Sequence, residues 1–358
     1  MFAQLPFETV DHIVGYLDFE DVRSIACVCS AVRLPAQLRL FRAVRIVSDA
    51  YEPYPDNSKA ILSSPHLLQY SSRLVVQCFD HGRQLSFRSL WSRLPMMYHL
   101  SSMEISLDPS DCARALSALE SLHSQREIAL VLGRVLAPNL PISNNPLPVH
   151  SLHLCLDASN HRVATRLVQK CSQSLRKLHL IPKDNIIPPF PFLPHLCEFS
   201  VHPSLSILDI DADLMAWFPF LYQHPTIARV SLGCRFVLAV QPAPNLLPNL
   251  QFLSATPSII ERLIPGRPTK DIHTEYFPQK ETRFPGDTML RPLRQPSFSV
   301  TTLAIMTNTH FPTDLLINVV QALPKLRKFT LGWPCYQVRK SFKGRRYSQL
   351  TGNSFLSP

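Results

Sequence analysis

Apolar residues follow two different rhythms along this chain, and the rhythm changes near residue 47. Val10, Ile13, Val14 and Leu17 recur at i, i+3, i+4 and i+7, the single stripe of an amphipathic helix. Pro6 suits the first turn of that helix, where a missing N–H costs nothing. Asp18 is placed to N-cap a second helix, with Asp21 adding negative charge at its positive end. Val22, Ile25, Ala26 and Cys29 repeat the stripe. Ser30 and Pro35 interrupt the pattern, and a third short helix is predicted from near Pro35 through Gln37, Leu38 and Phe41. Charge is sorted as well: residues 1–21 hold five acids and no Lys or Arg, and residues 22–45 hold five arginines and no acid. Three helices in ~40 residues cannot bury all these apolar groups among themselves. This unit therefore packs on something else, either the following chain, as a cap, or a partner.

Beyond residue 47 the period becomes 2. Leu-Pro-x-Leu, then two variable residues, then apolar-x-apolar is the recurring theme. It appears at Leu94-Pro95 before Leu100–Leu107, at Leu175–Leu180, at Leu193–Val201, at Leu247–Leu253 and at Leu323–Leu331. Fainter copies lie at Arg73–Gln77, Ile128–Leu132, Leu152–Leu156, Ile227–Leu232, Asp271–Tyr276 and Val300–Ile305. Alternation makes each copy a strand. Cys112–Leu122 and His161–Cys171 carry helical periodicity between them. Strand, turn and helix at this interval is the leucine-rich-repeat arrangement, in which stacked units form a curved parallel sheet. A regular repeat of that kind places Asn or Cys three residues after the last strand leucine. Here the position holds Asp108, Asp157, Lys183, Ser204, Ser258, Asn308 and Pro334, and only Asn308 fits. A less repetitive α/β arrangement is the competing expectation, and 202–226 and 276–299 read as insertions.

Composition narrows the class. Proline is abundant at 33 residues and glycine scarce at 9, which favours extended segments and rigid turns over a glycine-rich nucleotide fold. No apolar run approaches the ~18 residues that span a bilayer. The nine cysteines are scattered without a CxxC, as expected of reduced thiols in an intracellular protein, cytoplasmic or nuclear. The formal charge of +10 is uneven: eight Lys/Arg and no acid follow from Lys325 onward, so the other 324 residues carry only +2.

Leu5-Pro6, Glu8, Ile13, Leu17, Asp18, Asp21-Val22, Val28-Cys29 and Phe41-Arg42 stand in the order and near the spacing of an F-box, and this stretch resembles that family. Ser30 and Val32 stand where the family usually carries a basic residue and an aromatic. The resemblance covers about 45 of the 358 residues. With the degenerate, Pro-rich repeats and the Arg262–Pro268 turn, the chain resembles the large F-box families of mushroom-forming (basidiomycete) fungi. It implies three parts: an F-box at 1–47, a degenerate leucine-rich-repeat-like domain at 48–336 and a basic tail at 337–358. It implies docking to a Skp-family adaptor, and through it a cullin, by Leu5, Pro6, Ile13, Leu17 and Val22. The repeats would then select an unidentified protein client for ubiquitination. The fold class expected is α/β, a short three-helix F-box followed by an irregular solenoid.

Nothing in the sequence points to catalysis, a cofactor or a metal. There is no phosphate-cradling glycine loop and no HExxH. His150 and His153 flank a strand. Cys27 and Cys29 face different sides of a helix. Asp209, Asp211 and Asp213 lack the glycine turn and distant Glu of a calcium loop. The tail Arg339–Tyr347 interleaves cations with aromatics, so a repeat protein binding nucleic acid through it is the alternative function. Client-facing positions would be Glu104, His153, Lys177, Glu198, Arg229, Gln251 and Lys328, the exposed strand or adjoining loop positions.

Overall fold

Each predicted strand forms where the alternation lies, and each is hydrogen-bonded to its neighbours in the sequence. The structure, a computed structural model, describes residues 4–48, 64–78, 88–106, 109–122, 128–132, 137–183, 187–202, 212–233, 236–243, 245–276, 290–291, 293, 300–307 and 313–332. Three helices come first, α1 (Phe7–Tyr16), α2 (Phe19–Ala26) and α3 (Ser30–Phe41). Next in the chain are β1 (Ala43–Ser48), β2 (Arg73–Cys78), α4 (Arg88–Trp91), β3 (Ser102–Ser106), α5 (Pro109–Glu120), β4 (Ile128–Leu132), β5 (Val149–Leu156) and α6 (His161–Cys171). The middle holds β6 (Lys177–Pro182), β7 (Glu198–Val201), β8 (Ala212–Asp213), α7 (Phe218–Gln223), β9 (Arg229–Leu232) and β10 (Phe236–Val237). Last come β11 (Phe252–Ala255), α8 (Pro257–Leu263), β12 (Asp271–Tyr276), β13 (Thr302–Thr307), α9 (Thr313–Ala322) and β14 (Lys328–Gly332).

The result is an α/β fold with a 12-stranded sheet in chain order, β1-β2-β3-β4-β5-β6-β7-β9-β11-β12-β13-β14, every pair parallel. β8 and β10 form a separate two-stranded parallel ribbon that the sequence pattern did not predict. Laddered positions recur at intervals from 19 residues, Phe252 to Asp271, to 31, Glu198 to Arg229. The register is nearly unbroken, with one shift between Ile128 and Ala129. Val44, Leu74, Met103, Leu130, Leu152, Leu178, Phe199, Val230, Leu253, Ile272 and Leu303 therefore lie side by side across the strands, all buried. Two residues on in each strand a second buried row runs parallel to it, including Ile46, Ile105, Leu154, Leu180, Val201 and Ile305. The helices supply the other wall; α6 turns Val163, Ala164, Leu167, Val168 and Cys171 inward.

The turns between coils are stitched by backbone and hydroxyl groups. The Ser72 carbonyl accepts from Ser101 N and Ser102 N, and the Ala228 carbonyl from Gln251 N and Phe252 N, a two-donor pattern repeated along the sheet. Ser71, Thr226 and Thr269 hydroxyls each donate to a carbonyl of the preceding coil, those of Phe41, Leu196 and Leu250. After β5 the turn is held by Asn160 as well as by Asp157, whose carboxylate accepts from Ser159 N and the Ser159 hydroxyl. The Asn160 carboxamide accepts from Asp157 N at 3.1 Å and donates to the Cys155 carbonyl at 3.0 Å, with the side chain buried.

Two boundaries differ from expectation. The third helix begins at Ser30, because Cys29 is extended (φ −155°, ψ 161°), and Pro35 lies inside it. Pro35 forfeits one internal hydrogen bond, but Val32, Ala36 and Leu40 at i, i+4 and i+8 bury a stripe that holds the helix. The boundary drawn at 47 falls within β1, so the chain joins the sheet from Ala43 onward.

The Arg262–Pro268 turn has a structural role. Pro265 and Gly266 occupy the centre of a turn closed by Arg267 N donating to the Ile264 carbonyl, and Gly266 takes φ 80°. Arg267 is buried; its guanidinium donates to the carbonyls of Leu246, Leu263, Pro265 and Ala243. Burial lowers its pKa to about 10, so it remains a cation. It pins the loop beside Leu247, whose φ of 57° is unfavourable for a residue with a side chain. Arg267→Ala is expected to destabilise the fold by about 2–4 kcal/mol in urea denaturation, since several buried carbonyls lose their donor. In the second buried row, Thr274 has a fully buried hydroxyl without a hydrogen-bond partner among the described residues. Thr274→Val keeps the shape and removes that orphan, and should raise stability by about 1 kcal/mol in the same assay.

Candidate functional site

The helical unit divides its apolar groups between two jobs. Asp18 Oδ1 accepts from Asp21 N at 2.8 Å and starts α2. Arg39 donates to the Leu17 carbonyl at 3.0 Å and ties α3 to the joint between the first two helices. Val10, Val14, Val22, Val32, Ala36, Leu40 and Phe41 belong to the buried core, and α3 packs on the turn Pro65–Tyr70 and on β1. Other apolar groups stay in water: Leu5 is 37% exposed, Phe19 48% and Val28 68%, with Phe7 and Leu34 similarly open. Of the predicted contact residues, Leu5 and Pro6 lie on the surface, and Ile13 and Leu17 are half-buried. Val22 is 0% exposed, so the structure removes it from the contact set. Its spacing marked an apolar position without saying which side of α2 faces water.

A second surface is the outward side of the sheet, where side chains alternate with the buried rows. Lys177 Nζ lies 3.0 Å from the Glu198 carboxylate and Arg229 Nε 3.9 Å from the same oxygen. The Arg229 guanidinium also sits 4.2 Å above the Phe252 ring. Further along, Glu104 faces Arg73 at 3.9 Å and accepts from Gln77. The row beside Lys177, Glu198 and Arg229 holds Glu104, Val131, His153 and His179. The His153 and His179 rings lie 3.9 Å apart, and His179 stacks on His202 at 5.1 Å and 12°. His202 Nε2 meets the Ser231 hydroxyl at 3.1 Å. Farther along, His273 meets Phe252 edge-on at 4.8 Å.

Glu104, His153, Lys177, Glu198, Arg229 and Lys328, expected to face a client, all stand at outward strand positions; Gln251 immediately precedes β11. His179, His202 and Ser231 were missed as their neighbours. The matching triplets Leu152-His153-Leu154 and Leu178-His179-Leu180 carry the signal, since equal phase in two repeats places the imidazoles on adjacent strands.

The remaining candidates lead elsewhere. His150 and His153 both lie on β5, and no three His, Cys, Asp or Glu among the described residues are arranged to hold a metal. Asp213 Oδ1 accepts from Met215 N as the cap of a short turn, while Asp209 and Asp211 lie outside the described residues. The basic tail 337–358 also lies outside them. Cys27, Cys29, Cys112, Cys155, Cys171 and Cys197 are free thiols, and Cys112 and Cys171 fill core positions. No helix among the described residues is long and apolar enough to cross a membrane.

No protein-family model matches the chain, and no curated protein matches it. Among solved structures, a protein from Bacteroides fragilis is similar at a TM-score of 0.39 and 13% sequence identity, over 78% of this chain and 72% of that one. A likeness this distant assigns neither family nor activity.

The imidazole row makes stability depend on pH. Burial lowers the His153 pKa, with Glu104 opposing. Burial, then the neighbouring His153 and His202, lowers that of His179 to about 3. Burial first and His153 second lower that of His202. Each ring is neutral in the fold but takes a proton near pH 6.5 when unfolded. Stability is therefore lost as pH falls from 6.5 toward the folded values. Urea midpoints should drop between pH 7 and pH 5, and His179→Gln should flatten that drop. Each ring adds at most ~1.4 kcal/mol per pH unit to the slope, and the solvent it still meets narrows the pH window over which it acts.

Proposed function

We propose that this chain is the client-recognition subunit of an SCF-type (Skp–cullin–F-box) ubiquitin ligase. In this reading the helical unit is an F-box that docks a Skp-family adaptor, and the adaptor links it to a cullin. The sheet is a degenerate leucine-rich-repeat solenoid whose outward face takes a protein client. The chain contributes proximity, not a reaction of its own: holding the client on the assembly raises its effective concentration at the transferring enzyme. Such a subunit works inside the cell, in cytoplasm or nucleus.

The observation that carries it is the apolar surface of the three helices. They hold one stripe against the sheet and still leave Leu5, Phe7, Phe19, Val28 and Leu34 in water, in a stretch ordered like an F-box. Five exposed apolar side chains within one short stretch support an interaction role for it.

Co-expression of the whole chain with the host's Skp-family adaptor, followed by size-exclusion chromatography, should yield a one-to-one complex. The double variant Leu5→Ala/Pro6→Ala should lose it, each buried anchor being worth about 2–4 kcal/mol of binding if it is a hot spot. Val22→Ala should instead lower thermal stability, as loss of a core side chain does. A double variant that holds the adaptor as well as wild type would overturn the reading.

A further inference from the structure

Where the helical unit meets the sheet, the joint between α1 and α2, the end of α3 and the starts of β2 and β3 enclose a cleft of about 680 Å³. Its charge is unbalanced. Arg39, Arg42 and Arg73 line it, and Asp18 is the one acid among the lining residues. That acid is already engaged, since its Oδ1 caps α2. The arginines are engaged only in part. Arg39 spends one N–H on the Leu17 carbonyl, which fixes its guanidinium at the wall. Arg73 meets Glu104 only at 3.9 Å, with its side chain more than half exposed. Arg42 has no acidic partner among the described residues. The apolar part of the lining comes from Leu17, Phe19, Leu40 and Ala43.

From this arrangement we infer that the cleft binds a small phosphorylated organic compound. Three guanidinium groups with spare N–H donors match the oxygens of a phosphate in charge and fork geometry. The volume falls within the range of small-molecule sites. Phe19 and Leu40 offer contact to the part of the ligand that carries the phosphate. Of the three serines in the lining, Ser72 and Ser101 already donate their hydroxyls to the Arg42 and Ser72 carbonyls. Recognition of the charge rests on the arginines. This inference goes beyond the adaptor reading, and none of its three arginines is a proposed adaptor contact.

The test is calorimetric titration of the whole chain with inorganic pyrophosphate at constant ionic strength. Saturable one-site binding is expected, weakened about tenfold by Arg42→Ala or Arg73→Ala and abolished by the pair. Arg166→Ala, an exposed cation on α6, should leave it unchanged, as should Leu5→Ala/Pro6→Ala. Binding that does not saturate, or that survives the double arginine variant, overturns the inference. Where the double variant does not fold, phenylglyoxal labelling of the wild-type chain decides. Pyrophosphate should slow labelling at Arg39, Arg42 and Arg73 but not at Arg166, and equal protection of all four counts against the site.

Discussion

Leu152 and Leu154 are kept from water only because Leu130 and Leu132 lie on one side of them and Leu178 and Leu180 on the other. That lateral dependence runs through the whole sheet. One coil of this length offers only a few inward residues per strand, three on β4 and four on β5, and cannot close a core around them. The coils are stable only as a stack, and each helix seals the edge of its own coil. Hydrogen bonding obeys the same rule. A carbonyl at the start of one strand takes two N–H donors from the next coil, so no turn is complete without its neighbour.

The stacking accounts for what the outward face is free to do. Because both inward rows carry the packing, the outward positions vary in residue type with little structural cost. Row after row they hold ion pairs, imidazoles, serines and one phenylalanine. Most of these contribute little to stability: Lys177, Arg229 and Arg73 are about half exposed, and ion pairs in such settings are weak. The histidines differ because strand spacing presses their rings together. Neutral, they pack ring against ring; charged, they would repel one another at ring distances of 3.9 and 5.1 Å.

At the N-terminal end, α1 and α2 pack on α3, and α3 packs on β1 and the turn Pro65–Tyr70. Val10, Val14, Val22 and Val32 join the buried core as the helices pack together. Phe7, Val28 and Leu34 of the same helical unit stay exposed. The division also creates the arginine-lined cleft, since the joint at Leu17 overhangs the starts of β2 and β3 without filling the space before them.

Alternation and helical period are local properties, and the sequence by itself determined the features that rest on them alone. The strands at Arg73–Gln77, Ile128–Leu132 and Asp271–Tyr276, the helices over 161–171 and 7–16, and the outward phase of Glu104 and Lys177 were all legible in residue spacing. Features that depend on a neighbour were not. Pro35 reads as a helix start until Val32, Ala36 and Leu40 find a surface to bury against. Val22 reads like Ile13 until the packing of α2 on α3 decides which of them faces water. Asn160 looks like a loop residue until the end of β5 turns two backbone groups toward it. Arg39, Arg42 and Arg73 are ordinary surface cations in the sequence, and only the closure of the first coils against the helices sets them around one cleft. Tertiary structure decided these points because each requires contact between residues that the spacing along one coil cannot bring together.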